Sequence, residues 1–429
     1  MQDITLTIDR LVFGGEGLGY YNGRPVFTAG VLPFEEVLVR PIRIKTKFIK
    51  AGLIKVIKPS PLRINPKEDH ALSCSPWQIL PYSEQLKYKK DLTEAVFTKF
   101  AKELPSQDPK IFASPEEWGY RNKLEFGFCL NEQDLLSLAF NKRYTFQSFY
   151  AFDECLLGHF KLNLCAKEII KVLHQQNISI DSLKNLLVRY SYFEDKCLAV
   201  LFVTNKNFPK IEIKLPNLSG WLIVYSNPQS PVASTEAILF QQGSDKLKEK
   251  IGDCVLEYYY DSFFQINPPA FNQVIKSLSE SLDSEGELVD LYAGVGTIGL
   301  CFAKKFNKLY SLEADAKASQ IASSNAVFNQ LPNVEIACSL AGNYDLTSFI
   351  KSESAVIVDP PRAGLEPKVV KSLLELRPKF LAYLSCNPAT QARDWFLLKE
   401  SYQVVKWQLF DFYPQTPHIE SLLILRRNN

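Results

Sequence analysis

Cys386 stands at the end of an apolar run. Residues 381–390 read LAYLSCNPAT, a strand-like stretch followed at once by Ser385-Cys386-Asn387-Pro388. A cysteine serving as a small core hydrophobe belongs inside such a run. One at the carboxyl end of a sheet strand faces the crevice where open α/β sheets bind ligands. Near the C-terminus, residues 412–420 read FYPQTPHIE, where Pro414 and Pro417 stiffen a loop carrying His418 and Glu420. A thiol, a carboxylate and an imidazole on rigid loops supply a nucleophile and its base. The plain alternative for Glu420 is a capping or salt-bridging side chain on a surface loop.

Two further segments read as ligand-binding. Residues 288–300, LVDLYAGVGTIGL, form an apolar strand ending in a glycine loop, and Gly294, Gly296 and Gly299 satisfy GxGxxG. Glu313 ends the next apolar strand, where a carboxylate accepts hydrogen bonds from ribose hydroxyls. That spacing does not separate NAD from S-adenosylmethionine, since both carry an adenosine ribose. Residues 356–365, VIVDPPRAGL, discriminate better. Two prolines fix the backbone after Asp359 and remove N–H donors, so the carboxylate faces the same crevice as Cys386. A nicotinamide dehydrogenase has no evident need for such a loop. A methyltransferase uses one beside the methyl-donor sulfonium.

These residues need a parallel sheet behind them. From about residue 259, strand-like runs (GELVDLYA, KLYSLEA, SAVIVDP, FLAYLSC) alternate with helical ones (TIGLCFAKKF, AKASQIASSNAVFNQ, PKVVKSLLEL). That alternation predicts βαβ units and an α/β fold with a largely parallel sheet. Residues 1–60 instead read as short strands broken by GGEGLG and NGRP turns, and a small β-barrel closes them. PSPLRINPKED reads as a linker and SEQLKYKKDLTEAVFTKFAKEL as a helix. Residues 115–258 are richer in strand patterns, with one helix near LNLCAKEIIKVLHQQ. The expected domains are therefore 1–60, a barrel; 61–258, a β-rich middle unit; and 259–429, the catalytic unit.

A chain of 429 residues suits two or three cores rather than one. No apolar run approaches the ~20 residues of a membrane helix, and nothing in the first residues suggests secretion, so a cytoplasmic enzyme without membrane attachment is expected. The nine cysteines are scattered with no CxxC pair, which argues against a disulfide framework and against a zinc site. Net charge is only +2, yet Arg40 to Lys58 holds seven basic residues and no acid. Arg43, Lys45 and Lys47 alternate with Ile44, Thr46 and Phe48, which on a strand puts three cations on one face. A solvated face is the bland reading; a one-signed stripe also suits a phosphate backbone.

Taken together, these segments resemble the RNA uracil-C5 methyltransferase family, whose members act on ribosomal RNA or on the T-loop of tRNA. The likeness covers nearly the whole chain. GGEGLGYYNGRPVFTAGVLPFEEV looks like the TRAM domain, the family's small RNA-binding barrel of the OB-like type. YRNKLEF (120–126) matches its middle-domain signature, and FFQINP (263–268) the opening of its catalytic domain. The resemblance implies a class I, Rossmann-like methyltransferase fold with S-adenosylmethionine as cofactor. It puts cofactor ligands on Gln265, Tyr292, Glu313 and Asp359, the nucleophile on Cys386 and the proton-abstracting base on Glu420. Gln265 and Tyr292 rest on the resemblance alone. The chemistry explains the pairing: a thiolate adding to C6 of uracil makes C5 nucleophilic, C5 takes the methyl group, and a base then removes its proton. In folded RNA the base must also flip out.

Several family members carry four cysteines for an iron–sulfur cluster. Here the corresponding stretch, DHALSCSPWQILPYSEQL, has only Cys74, and Cys155 in DECLLGH resembles the fourth position. Two thiols are too few for that cluster, so no iron–sulfur cluster and no metal are expected. Ala293, where many members have Cys, is a minor departure. The expected partner is structured RNA, 23S ribosomal RNA before tRNA, and the expected state a monomer. Two other readings compete: a nicotinamide oxidoreductase built on GVGTIG, and a non-catalytic RNA-binding protein on the same fold. The first leaves DPPR, SCNP and the barrel unexplained; the second leaves Cys386, Glu420 and Asp359 without a use.

Overall fold

A computed structural model describes residues 2–143, 148–283 and 286–428. The N-terminal strands Ile4–Leu11, Gly17–Tyr21, Arg24–Thr28, Glu36–Ile44 and Ile49–Lys58 close into a barrel. Alternation sends Ile4, Leu6, Ile8, Val37 and Val39 inward to a small core of their own. The basic residues are arranged differently from the expected stripe. The fourth strand stops at Ile44, and Lys45 N–H donates to Phe48 O across a hairpin turn. Arg43, Lys45 and Lys47 are therefore exposed around a hairpin tip rather than along one strand face. Arg40 and Lys50 pair with Asp3 and Glu16.

In the middle of the chain a seven-stranded sheet is assembled around the pair Leu183–Ser191 and Lys196–Val203, with helix Phe160–Gln175 packed on it. Its core gathers Leu162, Ile169, Leu186, Leu201 and Trp221.

The C-terminal half builds an eight-stranded sheet. Its order is 334–338, 308–313, 287–291, 355–358, 380–385, 420–427, 402–410 and 110–112. The first five of these run parallel. Strand Glu420–Arg427 then enters antiparallel to Phe380–Ser385. The strand order reverses beside Glu287–Leu291, the switch point where doubly wound sheets open a ligand crevice. Helices Ala316–Phe328 and Pro367–Leu376 form as the sequence predicts. The run TIGLCFAKKF does not make one helix: an α-turn over Gly299–Phe302 gives way to a 3₁₀ turn, Ala303–Lys305. The Asn333 amide, donating to the carbonyls of Ala303 and Phe306, takes up oxygens that a longer helix would use.

Helix Tyr82–Ala101 and strand Lys110–Phe112 lie on this catalytic sheet: the helix packs on helix Pro388–Leu398, and the strand extends the sheet edge. Likewise Leu247, Ile251, Leu256 and Tyr258, from the hairpin before residue 259, share one core with Phe271, Val274 and Leu300. Among the described residues no helix is long and apolar enough to cross a membrane.

Candidate active site

Register places the functional side chains. Ser385 pairs with Ser421 across the antiparallel strands, so Cys386, one residue on, and Glu420, one residue back, leave the sheet at the same edge. In the parallel part Leu291 pairs with both Val358 and Leu312. Tyr292, Asp359 and Glu313 follow those residues and reach the same edge. All six residues singled out in the sequence, Gln265, Tyr292, Glu313, Asp359, Cys386 and Glu420, line one cavity of about 910 Å³. That volume is in the range of small-molecule and cofactor pockets.

Each is held locally. Tyr292 sits at φ 66°, and its N–H donates to Leu312 O at 2.9 Å, fixing the turn into the glycine loop. Gly294 N–H donates to Glu313 Oε2 at 2.8 Å and Asp315 N–H to Glu313 Oε1 at 2.7 Å. Glu313 is thus clamped, with its remaining lone pairs left for a ligand. Asp290, on the strand itself, accepts from Gly299 N–H at 2.8 Å. Asn387 caps helix Pro388–Leu398 by accepting from Ala389 N–H, and its amide donates to Arg362 O at 2.8 Å, joining the SCNP and DPPR loops. Gln265 O accepts from the Asn122 amide at 3.1 Å, so YRNKLEF braces the segment that carries Gln265.

The loop before Glu420 is pinned from outside the catalytic half. Lys89 and Asp411 form a fully buried ion pair at 2.6 Å, and Lys89 Nζ also donates to Tyr413 O. Gln85 donates to Gln415 Oε1 and accepts from Gln415 N–H, and Tyr120 Oη donates to Pro414 O. Gln415 holds φ 65°, which these bonds enforce.

Burial sets the protonation states. It pushes the Cys386 thiol up to about 11, with Glu420 and Asp359 adding and the Arg362 guanidinium opposing. Glu420 lies well above the carboxylate range through burial and the Asp359 charge, while Arg362 and the Tyr413 hydroxyl, donating to Oε1 at 3.1 Å, pull it down. Desolvation brings Asp359 to about 7, and desolvation with the neighbouring Asp359 and Glu313 charges does the same for Asp290. Desolvation at the cavity mouth and the Arg362 guanidinium push His418 down to about 4, so its imidazole is neutral at pH 7.

Arg362 and Tyr413 go unmarked in the sequence, and Asp290 reads only as the acid that ends its strand, with no role given to it. Arg362 Nη2 lies 3.5 Å from His418 Nδ1, and it is the cation that offsets the carboxylates around the thiol. The available signal was position alone: Arg362 follows the prolines after Asp359, and Tyr413 opens the loop of Glu420.

A doubly wound sheet with its ligand cavity at the switch point, a clamped acidic residue after the second strand and an Asp-Pro-Pro loop defines a class I S-adenosylmethionine-dependent methyltransferase. Residues 81–428 match the tRNA (uracil-5-)-methyltransferase family, and the chain belongs to it. Over 99% of its length it is 32% identical to an uncharacterized RNA methyltransferase of Fusobacterium nucleatum, covering 96% of that protein. It is 29% identical to another from Synechocystis, covering 99% of this chain and 96% of the relative. Among solved structures, the Pyrococcus abyssi tRNA (uracil-54, C5)-methyltransferase in complex with S-adenosyl-L-homocysteine superposes with TM-score 0.79. The two share 23% identity over 98% of this chain and 100% of that one.

Proposed function

We propose that the chain methylates C5 of a uridine in 23S ribosomal RNA, through a covalent adduct between Cys386 and C6 of the base. The observation that carries this reading is the convergence of Cys386, Glu420 and Asp359 on one cavity that also holds the clamped Glu313. Asp290, Glu313 and Asp359 gather acidic groups there, and a bound cation draws carboxyls raised to about 7 to their charged form, which suits a ligand bearing a sulfonium, an ammonium and ribose hydroxyls. S-adenosylmethionine supplies an electrophilic methyl group when bound. Gln265, Tyr292, Glu313 and Asp359 are the residues that would hold it.

Cys386 attacks C6 as the thiolate, a form the Arg362 guanidinium favours. Electron density moves to C5, which becomes methylated. Glu420 as carboxylate then takes the C5 proton, and the raised affinity of that site for a proton makes it a stronger base. The C6–S bond breaks and the thiolate leaves. Tyr413 orients the carboxylate through its hydrogen bond.

The three units read in the sequence divide the work. The barrel of residues 1–60, in the position of a TRAM domain, holds RNA backbone at the exposed tip of Arg43, Lys45 and Lys47; residues 61–258 brace the catalytic loops; residues 259–429 carry the chemistry, in a monomer acting in the cytoplasm. The solved tRNA enzyme of like fold favours a second reading, uridine 54 of tRNA as the substrate. Methyl transfer from labelled S-adenosylmethionine to unmodified 23S rRNA and, separately, to unmodified tRNA decides. Label in 23S rRNA as 5-methyluridine, lost with Cys386→Ala, is expected. Label in tRNA alone moves the substrate, and no label in either RNA despite binding removes the catalytic reading.

A further inference from the structure

Outside the methyl-transfer cavity, side chains distant in sequence meet in a second groove, between the segment after the barrel and the middle of the chain. His70 N-caps the short helix Ala71–Cys74, so His70 and Cys74, four residues apart, share one face. His70 Nδ1 lies 3.3 Å from Cys74 Sγ. Cys155, from the middle of the chain, brings its thiol against that of Cys74, and both cysteines line one groove together with Arg121. The donor atoms of Glu68, His70 and Cys74 all lie within 4.8 Å of one another.

The imidazole is oriented as a ligand. Its Nε2 faces two acceptors, Glu68 Oε1 at 3.3 Å and Glu154 O at 3.4 Å, so that nitrogen carries the proton. Nδ1 is left with its lone pair toward Cys74. A carboxylate receiving the second N–H of a histidine is the usual outer support of a metal-bound imidazole. Glu68 is itself fixed, accepting from Leu156 N–H at 2.6 Å and the Gln78 amide at 2.6 Å. Phe152 and Phe140 lie against the ring at 4.5 and 5.4 Å between centroids and limit its rotation.

We infer that His70 Nδ1, Cys74 Sγ and Cys155 Sγ form a site for a single borderline-soft divalent cation, zinc, with Glu68 as the orienting carboxylate and water in the fourth position. In a tetrahedral site, nitrogen and sulfur ligands stand about 3.6 Å apart, given metal–ligand bonds of about 2.1 and 2.3 Å. The observed 3.3 Å opens to that with a shift of a few tenths of an ångström. Charge also balances. Two thiolates neutralise the dication, and Arg121 and Glu68 offset each other around it. A four-thiolate iron–sulfur cluster does not fit here, because Cys74 and Cys155 are the two thiols lining this groove among the described residues. The bound ion would pin the segment after the barrel to the middle of the chain, a structural role.

The test is metal content and cobalt spectroscopy on the full-length protein purified under reducing conditions. About one zinc per chain is expected, lost with Cys155→Ser or His70→Ala. Cobalt added to metal-stripped wild-type protein should give thiolate-to-cobalt charge-transfer absorption and tetrahedral d–d bands, a readout that stands even where the variants fail to fold. Protein holding neither zinc nor a thiolate-bound cobalt signal overturns the site. So does iron with acid-labile sulfide, or a Cys74–Cys155 disulfide in the reduced preparation.

Discussion

Cys386 and Glu420 reach the cavity from antiparallel neighbours, one just after and the other just before the cross-strand pair Ser385–Ser421. A strand that ran parallel here would carry its first residue to the opposite edge of the sheet. The antiparallel return of the last strand is therefore what brings a C-terminal carboxylate to the thiol. Under the proposed mechanism the two groups have separable steps, adduct formation for Cys386 and adduct release for Glu420.

Separable steps give separable phenotypes. Cys386→Ala should lower methyl transfer by on the order of 10⁴-fold or more and form no covalent complex with RNA. Glu420→Gln should lower turnover by about 10²–10⁴-fold while a denaturant-resistant protein–RNA complex accumulates, because the methylated adduct keeps its C5 proton. Denaturing gels with labelled RNA distinguish the two. A Glu420→Gln protein that turns over slowly without trapped complex would assign the proton to another group.

The pH profile follows from the thiol. Burial raises Cys386 to about 11, so about one molecule in 10⁴ holds the thiolate at pH 7, and that fraction grows tenfold per pH unit. Glu420 is raised as well, and its carboxylate also grows with pH. The two needs act in the same direction. The kcat/KM for RNA should climb with a slope of at least one between pH 7 and 9. Arg362→Met removes the opposing cation and should slow alkylation of the Cys386 peptide, read by mass spectrometry, at every pH in that window. A flat profile contradicts the thiolate requirement.

What the sequence made legible was local. Each apolar run ends at a polar residue, and a parallel sheet turns those endings into one edge, so the sequence itself places Asp359, Cys386 and Glu313 together. What the sequence hides is long-range. The alternation of Arg43, Lys45 and Lys47 read as a strand because period two says nothing about where a hairpin turns. Lys89 meets Asp411 across nearly the whole chain, and no window on the sequence shows that pairing. CxxC spacing likewise passes over the meeting of Cys74 with Cys155, and only the likeness of both to cluster positions of the family put the two in one place. Long-range register and burial decide these contacts.

The barrel is set directly against the catalytic loop. At Gly15, where φ is +80°, an added Cβ would stand 2.5 Å from Pro417 Cβ and 2.9 Å from Trp77 Nε1. Gly15→Ala must therefore strain the turn and push the barrel away from the loop that carries His418 and Glu420. The cost expected is about 1–3 kcal/mol of overpacking. Turnover should fall more than RNA affinity, because the displaced loop carries the proposed base. Matched kcat and RNA-binding measurements test this, and an unchanged kcat would show that the loop holds its place without the barrel.

The same loop is held from its other side by Lys89. Its ammonium is fully buried, which lowers its proton affinity, and the Asp411 carboxylate at 2.6 Å offsets that. Removing one partner leaves a buried charge without its mate, so Lys89→Met should destabilise the fold by about 3–5 kcal/mol. Replacing both, Lys89→Met with Asp411→Leu, should recover much of that loss, since an apolar pair of similar volume often substitutes for a buried ion pair at little cost. Activity should not recover in parallel. Asp411 Oδ1 also accepts from Tyr413 N–H at 3.0 Å, and Lys89 binds Tyr413 O, so the double variant frees the tyrosine that orients Glu420. Thermal melts and kcat on the three proteins separate the effects. Recovery of both stability and turnover would mean that the ion pair serves the fold alone.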